Sequence, residues 1–364
     1  MQPFLKCMFK SNLYLSHYRP IVLTLATKYS SSSTTTTSDP FFSEILSKFP
    51  VQRSLVFAYG SGVFRQEGHK DIKDNMTDFI FAVKDTEQWH RENLATHPNH
   101  YSSLARRMGP AAIKRCQEEW GARLYFNTLV PWGKGMIKYG VINRKDLLVD
   151  LVEWETLYVA GRLHKPVNII EQEDNDNELQ DGLKMNLTNA MHTALLLLPE
   201  KFTEEQLFLT IAGLSYTGDF RMVVGEDRNK VSNIVRPQID RFRELYINTL
   251  KINAPYLHVG GGLFEQDMSI DRRMEHLRRV PSGVLNKVFG MEDSKVKVDI
   301  EIVRKKAHPD FSNEISKAVG NVVTSVDKSQ AAKGVLTAGV RKAVVYSLAK
   351  VKKMINSWNT NSKI

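Results

Sequence analysis

The chain has 364 residues, 42% hydrophobic and 25% charged, a balance that suits a folded protein with a core and excludes a disordered chain. Its 50 basic residues against 40 acidic give a formal net charge of +10, which points to an anionic partner: nucleic acid, a nucleoside triphosphate or acidic lipid. The two cysteines, Cys7 and Cys116, exclude a disulfide framework and a cysteine-based zinc site.

Residues 1–38 carry Lys6, Lys10, Arg19 and Lys28, the hydroxyl-rich run Ser30 to Thr37, and no acidic residue. That is the composition of an organelle transit peptide, so the folded protein is expected to begin near Asp39. Residues 41–49 predict a short helix closed by Pro50. Ser54 to Tyr59 is apolar and of strand length, and it runs straight into Gly60-Ser61-Gly62. Beyond the polar residues 65–75, Asp78 to Val83 predicts a second strand. Residues 87–108 read as partly helical. Leu124 to Leu129, Met136 to Asn143 and Lys145 to Trp154 read as further short strands. Residues 39–166 are therefore an α/β region. Residues 167–327 are mainly helical, with helices over 183–198 and 234–250 and a capping box in Thr203-Glu-Glu-Gln206.

From residue 328 onward no acidic residue occurs. Val340, Val344, Leu348, Val351 and Ile355 recur at helical spacing, which predicts a basic amphipathic helix over about 335–358. Arg341, Lys342, Lys350, Lys352 and Lys353 on such a helix would meet an anionic membrane surface. No stretch reaches the ~20 apolar residues that span a bilayer, so any lipid must be approached from the water side.

The chemistry concentrates where the first strand meets Gly60-Ser61-Gly62. Glycines let a tight turn expose successive backbone N–H groups, a nest for phosphate oxygens, and Ser61 adds a hydroxyl donor. By itself such a tripeptide is a common turn. A following strand that opens with Asp78 gives it weight, because a carboxylate beside a phosphate nest can hold Mg²⁺. Asp150 interrupts the apolar run 147–152, and a carboxylate buried there needs an ion or hydrogen bonds. The two are expected to form a metal-binding pair on neighbouring strands. Lys138, between two strand-like runs, reads either as a charge to neutralise a leaving pyrophosphate or as an ordinary surface lysine. The 10 histidines include no His-x-x-x-His pair with an accompanying Glu, so a histidine metal centre is not expected.

Longer words in the sequence are more specific. Tyr59-Gly-Ser-Gly-Val-Phe64 with Gln66, Asp78-Phe-Ile-Phe-Ala-Val83, Trp89-His90, Asn93, His100-Tyr-Ser102, Lys138-Tyr-Gly-Val141 and Ala160-Gly-Arg-Leu-His-Lys-Pro166 occur in order. With Lys333-Gly334 and Thr337-Ala-Gly339 they resemble the mitochondrial phosphatidate cytidylyltransferases, also called mitochondrial translocator assembly and maintenance proteins. The resemblance runs from about Phe41 to Lys353. It implies a nucleotidyltransferase-fold domain with a mixed sheet, then a winged-helix type helical domain and the basic tail. It implies Mg²⁺, CTP and phosphatidic acid as cofactor and substrates, product feeding cardiolipin synthesis, and a peripheral place on the matrix side of the mitochondrial inner membrane. Gly60, Ser61, Gly62, Lys138, Arg162 and Lys165 are the expected nucleotide-binding residues, and Asp78, Asp150 and Lys138 the catalytic ones. The wider superfamily often carries two acids spaced Asp-x-Asp or Asp-x-Glu on the metal strand; here the second place is Ile80. A nucleotidyltransferase acting on RNA and a non-catalytic matrix factor are the alternatives. No aromatic and basic interleaving reads as a single-strand platform, so nucleic acid is not the expected partner.

Overall fold

The computed structural model describes residues 40–64, 76–133, 135–219, 229–260, 262–290 and 300–338. The transit segment 1–38 and the membrane-contacting residues Arg341, Lys342, Lys350, Lys352 and Lys353 lie outside them.

A helix, α1 (Pro40–Ser47), precedes a sheet built from β1 (Arg53–Tyr59), β2 (Thr77–Val83), β3 (Leu124–Trp132), β4 (Gly135–Asn143) and β5 (Asn168–Gln172). The order is β3-β4-β2-β1-β5, with β2 and β4 parallel and the other pairs antiparallel. Helices α2 (Thr86–Thr96) and α3 (Ser103–Glu119) supply the crossover between β2 and β3. Both faces of the sheet are covered, which is why its strands read as nearly unbroken apolar runs. Phe81, Tyr125 and Tyr139 pack toward Trp89 and His90 of α2. Leu55, Phe57, Ile80, Ala82, Leu124, Phe126 and Ile142 join the main core with the helical half.

Residues Lys145 to Trp154 are a helix, α4 (Arg144–Glu153), where a strand was expected. A short apolar run does not reveal its period. The local signals decide it: Asn143 caps Lys145 N, Asp146 sits in the first turn, and Leu147 and Leu151 fall one turn apart on the buried face. A short turn, α5 (Ala160–Leu163), leads into β5, so the sheet takes its edge strand from just beyond the expected boundary at 166.

The helical half runs α6 (Asn177–Leu197), β6 (Lys201–Thr203), α7 (Glu204–Gly213), α8 (Lys230–Val235), α9 (Ile239–Asn253), β7 (His258–Gly260) and β8 (Leu263–Glu265). Thr203 and Gln206 form the expected capping box of α7. The three short strands make a second sheet of order β6-β8-β7. Then follow α10 (Ile270–Leu277), α11 (Ser282–Phe289), α12 (Ile300–Ala307) and the long α13 (Ser312–Ala338). The described residues from Glu44 onward form one compact unit, and one core runs from Leu55 to Val326.

Helix α13 ties the two halves together. Gln330 accepts from Ala122 N and donates to Leu124 O, at 3.0 and 3.1 Å. Lys333 is buried and donates to the carbonyls of Cys116, Gln117 and Trp120 at the end of α3. Lys333 lies in the acid-free stretch from 328 onward, yet its ammonium closes the C-terminus of a helix, where a cation is favoured. No helix among the described residues is long and apolar enough to cross a membrane.

Candidate active site

Strand β1 ends at Tyr59 and the chain turns at Gly60, whose φ of +82° is one that side chains beyond glycine rarely adopt. Val63 N and Phe64 N both donate to Gly60 O, closing the turn. Gly62 is required by space: a Cβ there would lie 2.6 Å from Met76 O and 2.8 Å from Thr77 Cα. The loop can therefore press against the start of β2, and the Gly60 backbone comes beside Asp78, with a hypothetical Cβ 3.7 Å from Asp78 Oδ2. The expected meeting of glycine loop and strand carboxylate is present in the geometry.

Asp78 lies opposite Tyr59 on one side and Lys138 on the other in the strand register. Its Oδ1 is buried and receives no hydrogen bond among the described residues; Lys138 Nζ stands 3.5 Å from it. The Lys138 ammonium also lies over the Phe126 ring, 4.3 Å from the centroid. A buried carboxylate oxygen that receives no hydrogen bond, beside a glycine turn at the end of a sheet, is unusual and costly unless a ligand completes it.

Asp150 is elsewhere. Its helix aims it at the turn that follows α4, where Oδ1 accepts from Thr156 N, Thr156 Oγ1 and Leu157 N, and Oδ2 from Val159 N and Ala160 N, all within 2.7–3.0 Å. Five donors fill the carboxylate and account for its burial without any ion. The reading of Asp78 and Asp150 as a pair on neighbouring strands is thus corrected: Asp150 folds the segment 156–160. The turn from Trp154 to Ala160 holds Trp154, the C-cap of α4, and Leu157 at φ of +52°, a strained conformation for such side chains, which the carboxylate's donors stabilise.

The segment so folded delivers Arg162 and Lys165. Arg162 donates to Tyr158 O and stacks its guanidinium on the Tyr158 ring, 4.0 Å away, with the Tyr59 ring at 5.3 Å. Tyr59's hydroxyl is buried without a hydrogen-bond partner among the described residues; burial pushes its pKa up, while Arg162 and Lys138 oppose the rise. Lys165 Nζ donates to Gly161 O and to Ser215 Oγ, the latter at 2.8 Å, and lies 5.0 Å from the centre of the Tyr216 ring. Burial, then the charges of Arg162 and Lys230, lower the Lys165 ammonium to about 7. Arg241 of α9 stacks on Phe64 at the end of the glycine loop, 4.6 Å away. Cations thus line the site from Lys138 through Arg162 to Lys165. Arg144, by contrast, is paired with Asp176 and Glu178, away from this group.

Sequence reasoning missed Tyr59, Tyr158, Ser215, Lys230 and Arg241. Tyr59 had a signal: it shares the strand parity of Leu55 and Phe57 and directly precedes the glycines. Ser215, Lys230 and Arg241 arrive from the helical half and carry no local pattern. Other matching words are structural. His90 bridges Tyr101 and Gln117, and Asn93 donates to the hydroxyls of Tyr101 and Tyr139, at 2.8 and 2.9 Å. His164 is buried against Asn186.

Among the described residues no group of three His, Cys, Asp or Glu side chains could hold a metal. The donor set nevertheless fits Mg²⁺ in one way. Magnesium commonly takes one or two carboxylates and completes its shell with substrate phosphates and water. Asp78, with Oδ2 beside the glycine loop and Oδ1 receiving no hydrogen bond among the described residues, meets that requirement.

A family model described as mitochondrial phosphatidate cytidylyltransferase matches residues 42–353. A Xenopus laevis protein of that name is 45% identical over 323 residues, covering 87% of this chain and 95% of its own. A Danio rerio protein of the same name is 44% identical, covering 87% and 95%. A human one is 42% identical, covering 82% of this chain and 67% of its own.

Proposed function

Since the chain belongs to the mitochondrial phosphatidate cytidylyltransferase family, we propose that it joins CTP to phosphatidic acid, releasing pyrophosphate and forming CDP-diacylglycerol. The observation that carries this reading is the open Asp78 carboxylate beside Gly60-Ser61-Gly62, with Lys138 and Arg162 close by.

An oxygen of the phosphatidate phosphate attacks the α-phosphorus of CTP. A new P–O bond forms, the bond to the β-phosphate bridge breaks, and pyrophosphate carries away the electron pair. A phosphate monoester has its second pKa near 6, so at neutral pH and above the attacking oxygen carries no proton and needs no strong base. The task is to bring two polyanions together, so positioning and charge neutralisation dominate. Backbone N–H groups of the Gly60–Gly62 turn and the Ser61 hydroxyl hold triphosphate oxygens. Lys138 and Arg162 offset the charge that builds on the departing pyrophosphate. Magnesium, when held by Asp78, supplies positive charge against the same phosphates. Ordering of Tyr158 and Arg162 by Asp150 fixes one wall of the site.

The mixed sheet with its strand, glycine turn and carboxylate strand supports a nucleotidyltransferase fold. The succession α6-β6-α7-α9-β7-β8, with its three-stranded sheet, supports a winged-helix type second half. The names of the relatives, the acid-free N-terminal composition and the basic tail support a mitochondrial protein held peripherally at the matrix face of the inner membrane, with product passing to cardiolipin synthesis.

The test is product formation from phosphatidic acid liposomes with Mg²⁺ and each of the four ribonucleoside triphosphates in turn. CDP-diacylglycerol made with CTP, and lost in Asp78→Ala, is the expected result. Elongation of RNA instead, or no product with any triphosphate, would overturn it.

A further inference from the structure

We propose that Lys165 and Ser215 form a separate phosphate-monoester subsite, the seat of the phosphatidate headgroup rather than of the nucleotide. The assignment rests on the cytidylyltransferase reading for the identity of its ligand, and on geometry for its place. Lys165 is a half-buried cation that forms no ion pair among the described residues. Among the described residues its ammonium meets neutral oxygens, Gly161 O and Ser215 Oγ, and the face of Tyr216. The charges that act on it, Arg162 and Lys230, repel it. A buried cation facing like charges awaits an anion, and a hydroxyl at 2.8 Å offers that anion a second donor.

The pocket is built closely. Gly161 admits Ser215 because it has no side chain: a Cβ there would lie 2.3 Å from Ser215 Cβ. Two features place it at the lipid end of the site. The glycine turn, Asp78 and Lys138 already serve the triphosphate in this reading, and Arg162, against the Tyr59 ring at the turn, also acts on Lys165 by its charge, so a second anion is left for Lys165. The turn that carries Ser215 and Tyr216 is also fastened to α13. Gly218 O accepts from Thr324 Oγ1 at 2.6 Å, and a Cβ on Gly218 would lie 2.6 Å from Gly320 O. Helix α13 is the element whose sequence continues into the acid-free basic stretch.

Lys165 also gives the subsite a proton signature. Lowered to about 7, the free ammonium is largely neutral at pH 8, and an anion seated on it restores its proton. Phosphatidate binding should then take up a proton, and weaken as pH rises above 7.

The experiment is calorimetric titration of the full chain with short-chain phosphatidic acid, with CTP and with inorganic phosphate, each in two buffers of different ionisation heat. Lys165→Met should weaken phosphatidic acid at least ~10-fold while CTP changes by less than about 3-fold. Lys165→Arg should keep the affinity and abolish proton uptake. Ser215→Ala, a milder change, should weaken phosphatidic acid alone, which guards against misfolding of the lysine variant. Weakened CTP with unchanged phosphatidic acid would overturn the assignment, as would no change in either. Inorganic phosphate binding as tightly as phosphatidic acid would overturn the lipid headgroup as ligand. The binding arms do not depend on turnover: a wild-type chain that binds phosphatidic acid through Lys165 yet makes no CDP-diacylglycerol refutes the proposed reaction and leaves the subsite standing.

Discussion

Asp78 and Lys138 face each other in register on neighbouring parallel strands, with 3.5 Å between Oδ1 and Nζ. Both are only partly exposed, and Asp78 Oδ1 has no hydrogen-bond donor among the described residues. The two form an ion pair at the end of the sheet, too long for a hydrogen bond to Oδ1. Asp78→Asn retains the shape and removes the charge. Turnover should fall at least ~10²-fold while the melting temperature moves by only a few degrees. Steady-state kinetics beside a thermal melt checks this. Undiminished turnover would remove Asp78 from the chemistry.

Asp150 should behave in the opposite way. Its five donors hold a turn that carries two residues at positive φ. Asp150→Ala leaves those donors buried and unmet, at a cost of about 3–5 kcal/mol. Denaturant unfolding should register the loss directly, and activity should recover partly at low temperature where the variant is folded. A variant as stable as the parent would mean that the turn is held by other contacts.

Gly62 tests the loop. A Cβ at 2.6 Å from Met76 O cannot be relieved by a rotamer change, because the obstacle is backbone. Gly62→Ala should lift the loop from β2 and weaken CTP by at least ~10-fold, with stability reduced by about 1–3 kcal/mol. Equilibrium CTP binding separates this from general unfolding. Gly133, whose Cβ would meet nothing within 4 Å, carries a positive φ that Gly62 lacks, so Gly133→Ala reports backbone strain without a clash.

Stability should fall on mild acidification. Burial lowers His90 and His192 to about 4 and His164 and His276 to about 3, against 6.5 for the unfolded chain. Between those values the unfolded state binds protons that the folded state refuses. Each histidine therefore contributes stability that is fully present above 6.5 and is lost as pH drops toward 4, at up to about 1.4 kcal/mol per pH unit. His192 and His276 face each other through their Nδ1 atoms at 2.8 Å, so one protonation also opposes the other. Urea midpoints at pH 7.5 and about 5 measure the effect; equal midpoints would contradict it.

The site's centre was legible because its parts are local. A strand, a glycine turn and a carboxylate opening the next strand leave marks between Arg53 and Asp78, and register alone brings Lys138 to Asp78. Asp150 was misread because six apolar and acidic positions fit either period, and only its cap and the donors of 156–160 distinguish them. Ser215 and Lys230 are 50 and 65 positions from Lys165 in the chain, so their meeting belongs to packing between the halves. Lys333 shows the same limit: a lysine in a basic stretch looks solvated until α3 is seen to end above it.

The most direct test of the account follows the label of CTP carrying an isotope at the α-phosphate, incubated with the full chain, Mg²⁺ and phosphatidic acid liposomes. The account predicts that the label enters the lipid phase as CDP-diacylglycerol, that label placed at the γ-phosphate leaves as pyrophosphate, and that Asp78→Asn abolishes both. Label that stays in the aqueous phase with the wild-type chain, or that reaches lipid equally well in the variant, would contradict it.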